Sequence, residues 1–152
     1  MLQILARQVR GFTLELLEAF PADRLLRPLP GLRNHPLWHA GHALWLGDVL
    51  SIVPITGASE LPPGWAARFG QRSRPEATPD WPDRAEVMEQ LTAQLQRLLE
   101  LYAELPAQRL ADPSRHPQTG WPLLEGIIHG WHDEARHHGE MYALYKFGSV
   151  AK

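Results

Sequence analysis

The run His132-Asp133-Glu134-Ala135-Arg136-His137-His138-Gly139-Glu140 packs imidazoles and carboxylates into one short stretch near the end of the chain. Asp133 and His137 are four positions apart, so on a helix they stand nearly one above the other and can grip a single ion. Glu134 and His138 form a second carboxylate–histidine pair at the same spacing, one residue on. Far upstream, His42 lies in Asn34-His35-Pro36-Leu37-Trp38-His39-Ala40-Gly41-His42-Ala43-Leu44-Trp45, an otherwise mostly apolar stretch. A ligand from a second helix would complete a three-donor site with positions left open for water or substrate. The chain has no cysteine. That excludes disulfides, thiolate ligands and a cysteine nucleophile, and leaves imidazole and carboxylate, donors that suit zinc, nickel, iron or manganese.

These side chains need elements to carry them, and four segments show helical periodicity while none alternates as a strand does. The first, about residues 2–20, sets Leu2, Leu5, Val9, Phe12, Leu16 and Phe20 on one face and ends at Pro21. The second, about 35–53, has Asn34 as its N-cap and Pro36 in its first turn, and is expected to stop before Pro54. The third, about 82–105, carries Val87, Met88, Leu91, Leu95, Leu98, Leu99, Tyr102 and Leu105 and ends at Pro106. The fourth runs from near Pro122 to about Phe147, with Gly148 as its stop. The pattern predicts an all-α fold, a four-helix bundle. Between its second and third helices lies a long crossover, 54–81, with five prolines, Trp65 and Trp81. We expect it to lay its tryptophans on the bundle and to form a helical turn at Gly64–Phe69. The other long connection, 106–121, contains Arg115-His116-Pro117.

Helix geometry sorts the donors. His42 falls in the middle of the stripe Trp38, Trp45, Leu46, Val49 and Val53 and so points inward; a buried histidine satisfied by a hydrogen bond is the competing reading. His35 and His39 lie toward the same side but nearer the edges of that stripe and read as surface or loop-capping histidines. Asp133 and His137 are the only polar members of the stripe Leu123, Gly126, Gly130, Asp133, His137, Met141 and Leu144. An unpaired carboxylate there would cost several kcal/mol, which a cation or a plain Asp–His hydrogen bond would offset. Gly126 and Gly130 each cost about 1 kcal/mol of helix propensity, which room for another helix or a ligand would explain. Glu134 and His138 fall in the apolar arc near Ile127, Trp131 and Tyr145, and spacing alone does not reject them as the ligand pair. His129, His132 and Glu140 lean toward the polar side.

The 152 residues, 44% of them hydrophobic, suffice for one compact domain spanning 1–152. A formal charge of −2 with scattered signs marks no nucleic-acid patch and no polybasic membrane segment. No apolar stretch reaches the roughly 20 residues that span a bilayer. The N-terminus lacks the features of a signal peptide, so the expectation is a cytoplasmic protein. Zincin, phosphate-loop and nucleophile-elbow motifs are absent, and the one Glu-x-x-His, Glu134 to His137, has no second copy to build a di-iron site.

The stretches His42-Ala43-Leu44-Trp45 and Asp133-Glu134-Ala135-Arg136-His137-His138-Gly139-Glu140 resemble the two motifs of DinB/YfiT-like proteins. In their closing motif a ligand, three residues, a ligand histidine, any residue, a glycine and Gln or Glu follow in order. The resemblance implies a four-helix bundle with a long second crossover and a three-ligand site for one divalent ion, commonly zinc or nickel. Its ligands here would be His42, Asp133 and His137, because the motif anchors on Gly139 with the histidine two residues before it. Asp133 departs from the histidine that most members carry. The related mycothiol-dependent maleylpyruvate isomerases have Glu there, in a similar string. Glu134 then becomes a carboxylate that orients a ligand imidazole or serves as a catalytic base. The family further implies transfer or isomerisation of a small molecule with a low-molecular-weight thiol such as bacillithiol or mycothiol, and pairing of bundles; with spare apolar surface on helices one and four, the expectation is a homodimer. The competing function is a non-enzymatic, stress-related helical module whose polar cluster is structural.

Overall fold

The computed structural model describes residues 1–78, 80–111 and 120–148, and every regular element among them is helical. In chain order these are α1 (Leu2–Ala19), α2 (Pro36–Gly47), α3 (Val53–Thr56), α4 (Trp65–Phe69), α5 (Arg84–Glu104), α6 (Ala107–Ala111) and α7 (Leu123–Phe147). Short 3₁₀ turns lie at Ala22–Arg24 and Pro75–Ala77. The four longest helices pack in pairs, α1 against α5 and α7, and α2 against α5 and α7. The expected Arg115-His116-Pro117 lies outside the described residues, as does Pro79.

Three local expectations are corrected. Helix α2 is capped by His35, not Asn34: the His35 Nδ1 accepts the Trp38 backbone N–H at 3.1 Å. The chain also stays helical past Pro54. A π turn at Asp48–Ile52 lets the Val53 N–H bond back to the Asp48 carbonyl, and Pro54 then sits in the first turn of α3, where it needs no donor. The stop falls at Gly57, whose φ of 88° is the left-handed conformation that favours glycine. Finally, the inward face of α1 is Ala6, Arg10, Thr13, Leu16 and Leu17, while Phe12 is half exposed. An arginine displaces the phenylalanine from the centre because it finds a full set of partners there.

Bare backbone brings α7 against α2 and its extension. A Cβ on Gly130 would lie 3.3 Å from the Leu50 Cβ, and one on Gly126 3.6 Å from the Leu50 carbonyl oxygen. Their helix-propensity cost therefore serves close helix packing. The crossover lies on the bundle as expected. Trp65 is buried and its Nε1–H donates to the Gly41 carbonyl at 3.1 Å, while Trp81 packs edge-on against the His35 ring. Asp48 is buried at the root of the same crossover, accepting from the Ser59 hydroxyl at 2.7 Å and the Glu60 N–H at 2.8 Å. Burial raises its carboxyl above the usual range.

Candidate metal centre

Glycine at position 41 opens the site. A side chain there would overlap the Phe69 ring, so Gly41 allows α4 to press Phe69 onto α2. The Phe69 carbonyl then accepts from the Nδ1–H of His42 at 2.5 Å. That bond fixes the tautomer and leaves the Nε2 lone pair for a ligand. The His42 ring is also held between two indoles of its own helix. Trp38 stacks on it at 4.5 Å with 13° between planes, and Trp45 at 5.1 Å with 22°.

Tertiary packing of α7 against α2 delivers the other donors. One ligand atom from each of His42, Asp133 and His137 lies within 4.8 Å of the others. His39, His137 and Glu140 meet the same limit, so His137 belongs to two groups. The Nδ1 atoms of His39 and His137 are 2.8 Å apart, and the His39 Nε2 is 3.5 Å from a Glu140 carboxylate oxygen. Asp133 is partly exposed and accepts from Arg136 at 3.0 Å.

His39 corrects the sequence reading, since it is only 1% exposed and faces the site. Its spacing was the available signal: His39 and His42 are three apart, which places them on neighbouring positions of one helix face.

Burial leaves these rings uncharged. It pushes His39 down to about 3, helped by the neighbouring histidines, and His137 down to about 4, helped by His42 and opposed by Asp133. His42 is lowered as well, again chiefly by burial, although the Phe69 carbonyl and Asp133 pull it back. At neutral pH all three are therefore the neutral imidazoles that ligation requires. Two such rings beside a carboxylate fit a borderline divalent cation.

Glu134 is placed elsewhere. It belongs to neither donor group, and both of its oxygens are engaged in the core. Oε1 accepts from Arg10 Nε at 2.8 Å and from the Thr13 hydroxyl at 2.9 Å, and Oε2 from Arg10 Nη2 at 2.9 Å. Arg10 completes its shell on the Leu91 and Ala43 carbonyls and on Gln94 Oε1. His138, the rival partner of Glu134, sits half-way to solvent with its ring 5.9 Å from that of Phe12. A carboxylate held by three donors orders the bundle.

No curated protein matches the chain. The family model of the DinB superfamily matches residues 5–141, a span that begins in α1 and ends in α7 beyond the donor run. That match covers most of the chain and the architecture is helical throughout the described elements: the chain belongs to the DinB superfamily.

Proposed function

We propose that His42, Asp133 and His137 hold one divalent ion, zinc or nickel, and that the protein is a metal-dependent enzyme acting on a low-molecular-weight thiol such as bacillithiol, as a transferase or an isomerase. The observation that carries this reading is the convergence of the three donor atoms within 4.8 Å, from helices whose ligand residues are about 90 positions apart. Such an ion lowers the pKa of the group bound to it, so that a thiolate is available at neutral pH. The protein's part is to hold two neutral imidazoles and one carboxylate together and to keep the surroundings apolar. Trp38 and Trp45 brace the His42 ring, and the Phe69 carbonyl holds its proton on Nδ1. An open cleft is lined by Trp45, Ala66, Gly70, Gln71 and Arg72, and Trp45 is the residue it shares with the surroundings of His42. Glu134, fixed by Arg10 and Thr13, holds the helices and is assigned no proton transfer.

A cytoplasmic setting and a homodimer complete the reading. Among the described residues no helix is long and apolar enough to cross a membrane. Ile4 and Phe12 on α1 and Ile128 on α7 are exposed, and a second copy of the chain would cover them. Light scattering at micromolar concentration should give twice the chain mass, and a monomer would remove that part.

Metal analysis of tag-free protein tests the central claim. About one divalent ion per chain is expected in the wild type, lost in His42→Ala and in His137→Ala. A metal-free wild type whose melting is unchanged by a chelator would refute it.

A further inference from the structure

The 2.8 Å approach of the two Nδ1 atoms of His39 and His137 forces a choice of protons. Two N–H groups cannot face each other at that distance, and two lone pairs would repel, so one ring donates and the other accepts. The remaining partners of the His39 ring decide which. A Glu140 carboxylate oxygen lies 3.5 Å from its Nε2, and the same oxygen is 4.0 Å from the His137 Nδ1. A carboxylate is an acceptor. The single N–H of a neutral His39 is therefore placed on Nε2, toward Glu140, and its Nδ1 faces His137 as a lone pair. His137 must then donate from Nδ1, which leaves Nε2 as its unprotonated nitrogen.

We propose that His39, backed by Glu140, is the positioning residue that sets the tautomer of His137 and presents the His137 Nε2 as the ligand atom. The two ligand histidines then follow one rule. His42 gives its Nδ1–H to the Phe69 carbonyl, and His137 gives its Nδ1–H to His39. Each is left with Nε2 for the shared ion, and the outer partner also stops the ring from turning. His39 is well placed for this task because it is 1% exposed, so water does not compete for its lone pair. Glu140, about half exposed, supports the chain from the solvent edge. As a statement about a ligand atom this rests on the metal reading above, whereas the tautomers themselves do not.

The experiment separates the two. Long-range ¹H–¹⁵N correlation spectra of chelator-treated, ¹⁵N-histidine-labelled protein at neutral pH report which ring nitrogen of each histidine is protonated. The expected pattern is Nδ1–H on His137 and Nε2–H on His39. The reverse pattern, or rapid exchange of His137 between both tautomers, would overturn the proposal. In His39→Ala the His137 signals should lose their single tautomer while those of His42 keep theirs. Co²⁺ titration against a competing chelator is the second measurement. His39→Ala should weaken binding by about 10–100-fold, the range for loss of an outer partner of a ligand histidine, with one ion per chain and little change in the visible bands. His39→Gln, which still offers an acceptor to His137, should recover part of that loss, and the melting temperature of the metal-free forms serves as the control for folding. A marked change in the Co²⁺ bands of His39→Ala would make His39 a ligand, and two ions per chain would make His39, His137 and Glu140 a second site; either result overturns the proposal. Expected tautomers in a wild type that binds no Co²⁺ would uphold the relay and refute the metal reading.

Discussion

Arg10 and Glu134 meet at the centre of the bundle as a two-pronged ion pair, Nε to Oε1 at 2.8 Å and Nη2 to Oε2 at 2.9 Å. Their side chains are 0% and 2% exposed. Arg10 also donates to the carbonyl of Ala43, the neighbour of His42, while Glu134 is the neighbour of Asp133. Gln94 extends the link, its amide N–H donating to the Leu44 carbonyl at 2.8 Å and its oxygen receiving Arg10. One buried network thus ties α1, α2, α5 and α7 together beside the donors.

Breaking one side of that pair should be severe. Glu134→Ala strands a guanidinium in the core and is expected to cost about 3–5 kcal/mol in urea unfolding. Arg10→Met combined with Glu134→Leu should cost much less than the two single changes summed, because no charge is left unpaired. Additive losses in the double-mutant cycle would mean that the two residues act separately.

Glycines 41 and 11 should respond in opposite senses to alanine. Gly41→Ala collides with the Phe69 ring. It should destabilise by about 1–3 kcal/mol and, by moving the Phe69 carbonyl from His42, weaken divalent-ion binding as well. Gly11, in the middle of α1, has nothing within 4 Å of an added Cβ. Gly11→Ala should stabilise by about 0.5–1 kcal/mol with ion affinity unchanged. Equal effects at the two positions, read by denaturation and Co²⁺ titration, would contradict this account.

The metal-free protein should weaken as the solution is acidified. Burial lowers His35 to about 4, His39 to about 3 and His137 to about 4. An unfolded histidine takes its proton near 6.5, so from there down to about 4 the unfolded chain binds more protons than the folded one. Stability is therefore complete above about pH 6.5 and is lost as pH falls toward the folded values. Urea midpoints in the presence of chelator should be lower at about pH 5.5 than at about 7.5. His35→Phe should reduce the difference; a flat profile would show that these rings are not held neutral.

Asp133 should govern ion affinity more than fold stability. Among the described residues its ion pair is with Arg136, an exposed i,i+3 partner of the kind worth at most about 1 kcal/mol. Asp133→Ala is expected to lower Zn²⁺ affinity by about tenfold or more while the metal-free melting temperature moves little. Asp133→His, which puts an imidazole donor in place of the carboxylate, should keep one ion. Unchanged Zn²⁺ affinity in Asp133→Ala would remove Asp133 from the site.

Periodicity alone showed that the fold is helical, because apolar residues recurring along 91, 95, 98 and 102 of α5 make sense only on a helix with one buried face. The same arithmetic placed His42, Asp133 and His137 on inward-facing positions, and the two short motifs gave the family. Other features depended on contacts between segments distant in sequence. A wheel ranks Arg10 as polar and therefore outward, yet it is the best-satisfied side chain of the core, since Glu134 lies 124 residues away and the Leu91 carbonyl 81. Glu134 and Asp133 are adjacent in sequence and look interchangeable. The 100° turn between them sends one to Arg10 and the other to the His42 side. The sequence by itself thus determined the helical class of the fold and which donor types its long helices bring. Only the tertiary structure decided which carboxylate is spent on holding the bundle, and that His39 stands beside His137, because both are settled by what lies across the interface and not by spacing along one helix.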